Sequence, residues 1–188
     1  LLNGLLPPEK PEPLFDSLLT TLSQVQGITK TLHTDENSRN TIVALLLGSR
    51  GFRVKDQTLW AHSVSGKHMG ELDIKIEDET GRAVSIIEAL NMYKYEAANI
   101  DRHVKKLLID YDCNGLKENY IVVYVSATDF NGLCRKYRQR LEEIDYESYG
   151  LISGIDDVPT GLNKIKAYRA RHRCNDGETI LYHLLAKM

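Results

Sequence analysis

The chain has 188 residues, 42% of them hydrophobic and 27% charged, with a formal net charge of −2. That is enough for one domain with a sizeable core and too little for two full ones, and it excludes a global basic field, so any polyanion contact must rest on local clusters. Three scattered cysteines (Cys113, Cys134, Cys174) with no CxxC pair exclude a disulfide framework or a zinc knuckle and fit a reducing, cytoplasmic compartment.

Residues 1–13 (LLNGLLPPEKPEP) read as a linker or N-terminal extension ahead of a single domain over 14–188. They have no basic n-region, so no signal peptide is expected, and no apolar run in the chain approaches the ~20 residues of a membrane span. The absence of an initiator Met raises the expectation of a longer parent protein. Leu14, Leu18, Leu22 and Val25 recur at helical spacing, which predicts a first helix. A second helix opens at Thr34 or Asp35, an N-cap type, and ends near Gly48.

Gly51 to Trp60 reads as a strand, with Phe52 and Val54 alternating against Arg53 and Lys55. From Met69 to Glu77, Leu72, Ile74 and Ile76 face one way, and Glu71, Asp73, Lys75 and Glu77 form a polar face. A turn over Asp78 to Arg82 leads into Ala83 to Leu90, apolar on both faces as in a central strand. Tyr93 to Tyr111 is a helix with the stripe Ile100, Val104, Leu107, Leu108 and Tyr111. Asn119 to Val125 is a buried strand, and Asp129 to Ile144 a further helix. A Gly/Asp-rich loop then precedes two runs around Asn175-Asp176-Gly177 that pair as a C-terminal β-hairpin, although the last run also tolerates helix. The predicted class is α/β, a mixed central sheet flanked by helices.

The chemistry concentrates in GELDIKIEDETGRAVSIIEALN, residues 70–91. Glu88 shares its parity with Val84, Ile86 and Leu90, so it is an acid in an otherwise apolar row. Such a carboxylate is costly unless paired, hydrogen-bonded or bound to a cation. A salt bridge to Lys75 or Arg82 would satisfy it. Alternatively, if the two strands are neighbours, Asp73 and Glu88 converge as hard oxygen donors suited to Mg²⁺. In DENSRNTIVALLL, Glu36 and Asn40 begin a stripe continued by Val43 and Leu47, so Glu36 stands either at the rim of the core or simply in the first turn favoured by the helix dipole.

No Walker A, GxGxxG or GxSxG sequence is present, and the six histidines show no HxxxH or HxH spacing. A carboxylate pair could also serve glycoside hydrolysis, but one Trp and three Phe leave little surface on which sugars stack.

A helix bearing a Glu, a strand carrying Asp, a turn, and a strand ending in Glu-x-x resembles the PD-(D/E)xK, or restriction-endonuclease-like, nuclease superfamily. With the helix from Tyr93 and the strand from Asn119, the likeness covers roughly Asp35 to Ile144 as an αβββαβ core. The resemblance implies a Mg²⁺- (or Mn²⁺-) dependent endonuclease acting on DNA, with Asp73 and Glu88 as metal ligands and Glu36 assisting. Two departures stand out: Glu71-Leu72 precede Asp73 where the motif has Pro, and Leu90 occupies the position of the motif lysine. Lys94 or Lys75 would then supply the catalytic cation.

Arg102, Lys105, Lys106, Lys166, Arg169 and Arg171 are candidate DNA contacts, positioning a duplex through its phosphates. Superfamily members of this kind serve as effectors of restriction or phage-defence proteins, fused to or associated with a sensor or ATPase, and many act as homodimers. The alternative is a catalytically inactive nuclease-fold module for DNA binding or protein interaction, which Leu90 favours.

Overall fold

A computed structural model describes residues 13–32, 34–59, 71–112, 114–174 and 177–188. Most of the expected linker, and the segment from Trp60 to Gly70, lie outside the described residues.

Among the described residues the chain forms a mixed α/β structure with four helices and a seven-stranded sheet. Helices α1 (Leu14–Thr29) and α2 (Glu36–Ser49) come first, followed by strands β1 (Arg53–Leu59), β2 (Glu71–Glu77) and β3 (Ala83–Met92). Helix α3 (Ala97–Lys105) runs on into a π-helical turn, Lys106–Tyr111, before β4 (Glu118–Val125) and α4 (Phe130–Glu143). Strands β5 (Asp156–Val158), β6 (Ile165–Cys174) and β7 (Gly177–Lys187) complete the chain. The strand order is β1-β2-β3-β4-β7-β6-β5. Strands β3, β4 and β7 run parallel at its centre, with antiparallel pairs on either side. Their carboxyl ends lie together: Ser126 N–H donates to the Met92 carbonyl at 2.9 Å, and Met188 N–H to that of Val125 at 2.8 Å.

Each helix carries an apolar stripe, and α2 and α4 also begin on a side-chain cap. In α2 the Asp35 side chain accepts from the Ser38 N–H at 2.8 Å, satisfying one free donor of the first turn. The α1 and α2 stripes, including Leu18, Leu22, Val43 and Leu47, cover one face of the sheet beside Ile74, Ile87, Tyr120 and Tyr124. On the other face, Ile100, Val104 and Leu107 join Tyr137 and Leu141 of α4 over Ile86, Leu90, Ile121 and Leu185. Strand β3 is therefore apolar on both sides because helices cover both sides.

The β2–β3 hairpin owes its closure to its turn, and its register beyond Ile76 to a β-bulge between Ile76 and Glu77. Asp78 Oδ1 accepts from the Thr80 and Arg82 N–H groups, and Gly81 takes the left-handed conformation at φ 82°. A second polar tie fixes β3 beside β4: Asn119 Oδ1 accepts from the Ile86 N–H at 2.9 Å, and its amide donates to Asp112 at 2.7 Å.

Two features differ from the sequence pattern. Alternation predicts a polar outer face for β2, yet Lys75 and Glu77 are buried and paired at 2.7 Å. The expected loop after α4 contains the edge strand β5. The expected C-terminal β-hairpin is present: β6 and β7 pair antiparallel, and the last run, which also tolerates helix, is the eleven-residue strand β7, held between β4 and β6. No helix among the described residues is long and apolar enough to cross a membrane.

Candidate active site

The hairpin register places Ile74 opposite Ile87 and Lys75 opposite Ile86, so Asp73 and Glu88 occupy facing positions on adjacent strands. Parity sends both toward α3, because Ile86 and Leu90, the neighbours of Glu88 in its row, belong to that core. The Asp73 carboxylate is held in place by its own hairpin: Oδ2 accepts from the Ala89 N–H at 2.7 Å.

Glu88 is fully buried. Two side chains one turn apart on the helix above reach down to it: Lys106 Nζ donates to Oε1 at 2.8 Å, and the His103 Nδ1–H donates to the same oxygen at 2.9 Å. Among the described residues the other oxygen, Oε2, is buried with no hydrogen-bond partner. An unsatisfied carboxylate oxygen in a low-dielectric interior is costly, which marks it as a vacant acceptor rather than a packing detail.

The electrostatics follow from this crowding. Burial first, and then the facing charge of Glu88, push the Asp73 carboxyl up to about 7, with a smaller contribution from Glu36. The Ala89 N–H and the Lys106 ammonium act in the opposite sense. Burial works against the charge of Lys106, yet Glu88 holds its ammonium above the ordinary lysine value, and the Tyr111 ring lies 4.9 Å from Nζ.

For Asp73 the sign follows from linkage. With a raised native pKa, its stabilising contribution is complete below the unfolded value near 4 and is lost as pH rises through about 7. Asp73→Asn, which keeps an acceptor for Ala89, should therefore gain about 2 kcal/mol on wild type between pH 4 and pH 8, allowing for solvent at the partly exposed edge. Urea unfolding at the two pH values measures it; parallel stabilities at both would contradict the raised pKa.

Glu36 opens α2 and is half-buried, close enough for its charge to be felt at Asp73. Arg39, one turn on, fixes that helix start against the end of β3. Its Nη1 donates to Asn91 Oδ1 at 2.6 Å, and its guanidinium lies over the Tyr124 ring at 5.3 Å.

The remaining sequence candidates are placed elsewhere. Lys94 is exposed and pairs with Glu96 at 3.3 Å. Lys75 pairs with Glu77. Leu90, at the position of the motif lysine, is core. Lys105 pairs with Glu147 and Arg169 with Asp156, Arg171 reaches Ser153, and Arg102 donates to Asn99. Lys166 is exposed. Lys106, read from the sequence as a surface cation, instead reaches a buried carboxylate.

The sequence signal for Lys106 and His103 is their spacing of three residues on one flank of the α3 stripe, above a strand with an unexplained acid. A lysine stem lies along apolar surface and delivers its ammonium some distance away, so a flank position suffices. The π-helical turn begins at Lys106 itself and keeps Leu107, Leu108 and Tyr111 buried together.

The donor set suits a hard divalent cation. Two facing carboxylates, one with an orphaned buried oxygen and the other with a raised pKa, carry more negative charge than the Lys106 ammonium offsets, and Mg²⁺ takes few protein oxygens and completes its shell with water or substrate. Among the described residues no group of three or more His, Cys, Asp or Glu side chains gathers as a closed metal cage.

The fold and the site together define a mixed α/β protein whose β2–β3 hairpin carries a facing pair of carboxylates, Glu88 buried and cation-flanked and Asp73 half-buried. No known family matches the chain, and neither the curated proteins nor the solved structures provide a match.

Proposed function

We propose that the chain is a nuclease of the restriction-endonuclease-like, PD-(D/E)xK kind, hydrolysing DNA phosphodiesters with Mg²⁺ or Mn²⁺. The observation that carries this reading is Glu88: fully buried across the hairpin from Asp73, gripped through one oxygen by Lys106 and His103, and unpartnered at the other. The succession α2-β1-β2-β3-α3-β4 supports it, since it repeats the αβββαβ order of that superfamily.

Asp73 and Glu88 Oε2 would hold the cation, which when bound polarises a phosphodiester and acidifies an attacking water. The chain's own residues supply the rest. Ala89 N–H fixes the Asp73 carboxylate on a rigid strand. Lys106 and His103 fix Glu88 Oε1, leaving Oε2 as the free ligand atom. The Lys106 ammonium also sets a positive charge beside the place where negative charge develops on the phosphoryl oxygens, the task of the missing lysine at Leu90. Burial strengthens each of these interactions relative to water.

Supercoiled plasmid incubated with purified protein and Mg²⁺ or Mn²⁺ tests the reading. Wild type should nick or linearise it, and Asp73→Ala and Glu88→Ala should not. Independently of turnover, Mg²⁺ should raise the thermal midpoint of wild type and leave Asp73→Asn unmoved. Cleavage by wild type and both alanine variants alike would assign the activity to a contaminant. DNA binding without cleavage or Mg²⁺ response would favour the second reading, an inactive nuclease-fold module, which the burial of Leu90 supports.

A further inference from the structure

Among the described residues some cations pair with acids and others, in several parts of the fold, do not. Lys105, Arg138, Arg140 and Arg169 each pair with an acid. Lys164, Lys166, Lys187 and Arg135 have no carboxylate within ion-pair reach among those residues, and three of them are exposed, Lys187 being half-buried.

These four converge at one place. Ile165 pairs with Ala186 across β6 and β7, and the Lys187 N–H donates to the Lys164 carbonyl at 2.9 Å, so Lys164 and Lys187 oppose each other across the two strands. Gln26 locks this arrangement by donating to both lysine carbonyls, at 3.0 and 2.8 Å. Lys166 follows two residues later, and its charge and that of Arg135 on α4 both act on the buried Cys134 thiol. Asp129, an acid whose charge also acts on that thiol, caps the Gly132 N–H at 2.8 Å and forms no ion pair with the four among the described residues. Like charges directly opposed across a strand pair are destabilising. A cluster of four cations against one nearby acid, none of them ion-paired to it, is a ready anion site.

The cluster lies at the carboxyl edge of the sheet, in line with the ends of β3 and β4. Strand β6 stands three places from β3 in the sheet, roughly 14 Å at the usual strand spacing. DNA advances ~3.4 Å per nucleotide along one strand, so a backbone at Glu88 reaches the lysines about four nucleotides on.

We propose that Lys164, Lys166, Lys187 and Arg135 form a backbone track for duplex DNA, carrying the strand from the β6–β7 edge toward the Asp73–Glu88 site. The proposal rests on the nuclease reading for its direction. It replaces Arg169 and Arg171, whose guanidinium groups are engaged by Asp156 and Ser153, as the late-strand contacts.

The test is fluorescence anisotropy with a labelled 20-base-pair duplex in EDTA, comparing wild type, the triple variant Lys164→Glu/Lys166→Glu/Lys187→Glu, and Lys117→Glu, an exposed control at the opposite end of β4. The triple variant should bind about tenfold or more weakly, and its slope of log K against log salt should fall by about 2–3, one phosphate contact per lysine. Lys117→Glu should bind as wild type does.

Equal binding by the triple variant and the control would overturn the track. So would unchanged DNA binding accompanied by lost binding to phosphatidylserine vesicles, which would make the cluster a membrane contact. Hydrolysis of bis(p-nitrophenyl) phosphate with Mn²⁺ needs the site but no track, and the triple variant should retain it. If wild type lacks this hydrolysis while its DNA binding depends on the lysines, the nuclease reading fails and the track stands.

Discussion

Lys106→Met is expected to lower plasmid cleavage by about a hundredfold or more and to destabilise the fold by about 2–3 kcal/mol. Methionine keeps an apolar stem of similar length and removes the ammonium, with its contact to the Tyr111 ring. Glu88, fully buried with Oε2 already unpartnered, then retains His103 alone. Breaking a buried ion pair by removing one partner leaves a charge with neither water nor counter-charge, which is why the loss exceeds that of a surface pair. The figure sits below the usual range because Lys106 is partly exposed and His103 can still donate.

The double variant Lys106→Met/Glu88→Gln removes the stranded charge, and its stability should recover most of the way to wild type while cleavage stays absent. Urea unfolding of the four proteins closes the thermodynamic cycle. A Lys106→Met protein as stable and as active as wild type would remove both the ion pair and the relocated cation from the account.

Acidification from pH 6.5 to 4.5 is expected to remove about 2–3 kcal/mol of stability through each of two buried histidines, His172 and His183. Both are fully buried, and the Nε2 of each has no hydrogen-bond partner among the described residues. His172 Nδ1–H donates to the Tyr149 carbonyl at 3.1 Å, and His183 Nδ1 lies 2.9 Å from the Tyr137 hydroxyl. A proton added at either ring creates a buried N–H or charge with nothing to receive it. Burial accordingly drives His172 down to about 4 and His183 down to about 3.

The sign follows: the unfolded chain takes up protons near pH 6.5 and the native one resists until pH 3–4, so stability falls as pH drops through that window. His183→Asn, which keeps an amide opposite Tyr137, should lose less between the two pH values. The comparison is the difference in urea-unfolding free energy at pH 7 and pH 4.5 for each protein. Equal losses in wild type and variant would assign the acid sensitivity to carboxylates instead.

Much of the candidate site is legible in the sequence because its two acids belong to one hairpin. Asp73 and Glu88 lie on either side of a turn whose Asp78 and Gly81 announce it, but a β-bulge between Ile76 and Glu77 shifts the register by the one residue that brings them opposite each other. The lysine is less legible. Lys94 is the nearer cation in sequence, but it sits where the chain leaves the sheet, and its ammonium pairs with Glu96 at the surface. Lys106 is eighteen residues from Glu88, on a helix whose polar positions look alike until the helix is docked. The polar face of β2 misleads in the same way, since whether Lys75 and Glu77 meet water depends on what covers the strand.

The amino-acid pattern by itself determines the helices, the β2–β3 hairpin and the double-sided burial of β3, because each depends on contacts within a few residues or on a repeat of two or 3.6. Only the tertiary structure decides which cations meet which acids, that Lys164 and Lys187 oppose each other across β6 and β7, and that β7 enters the sheet between β4 and β6. These are pairings between distant segments. Local periodicity fixes the face a side chain takes, whereas the partner on that face is chosen by how the elements pack.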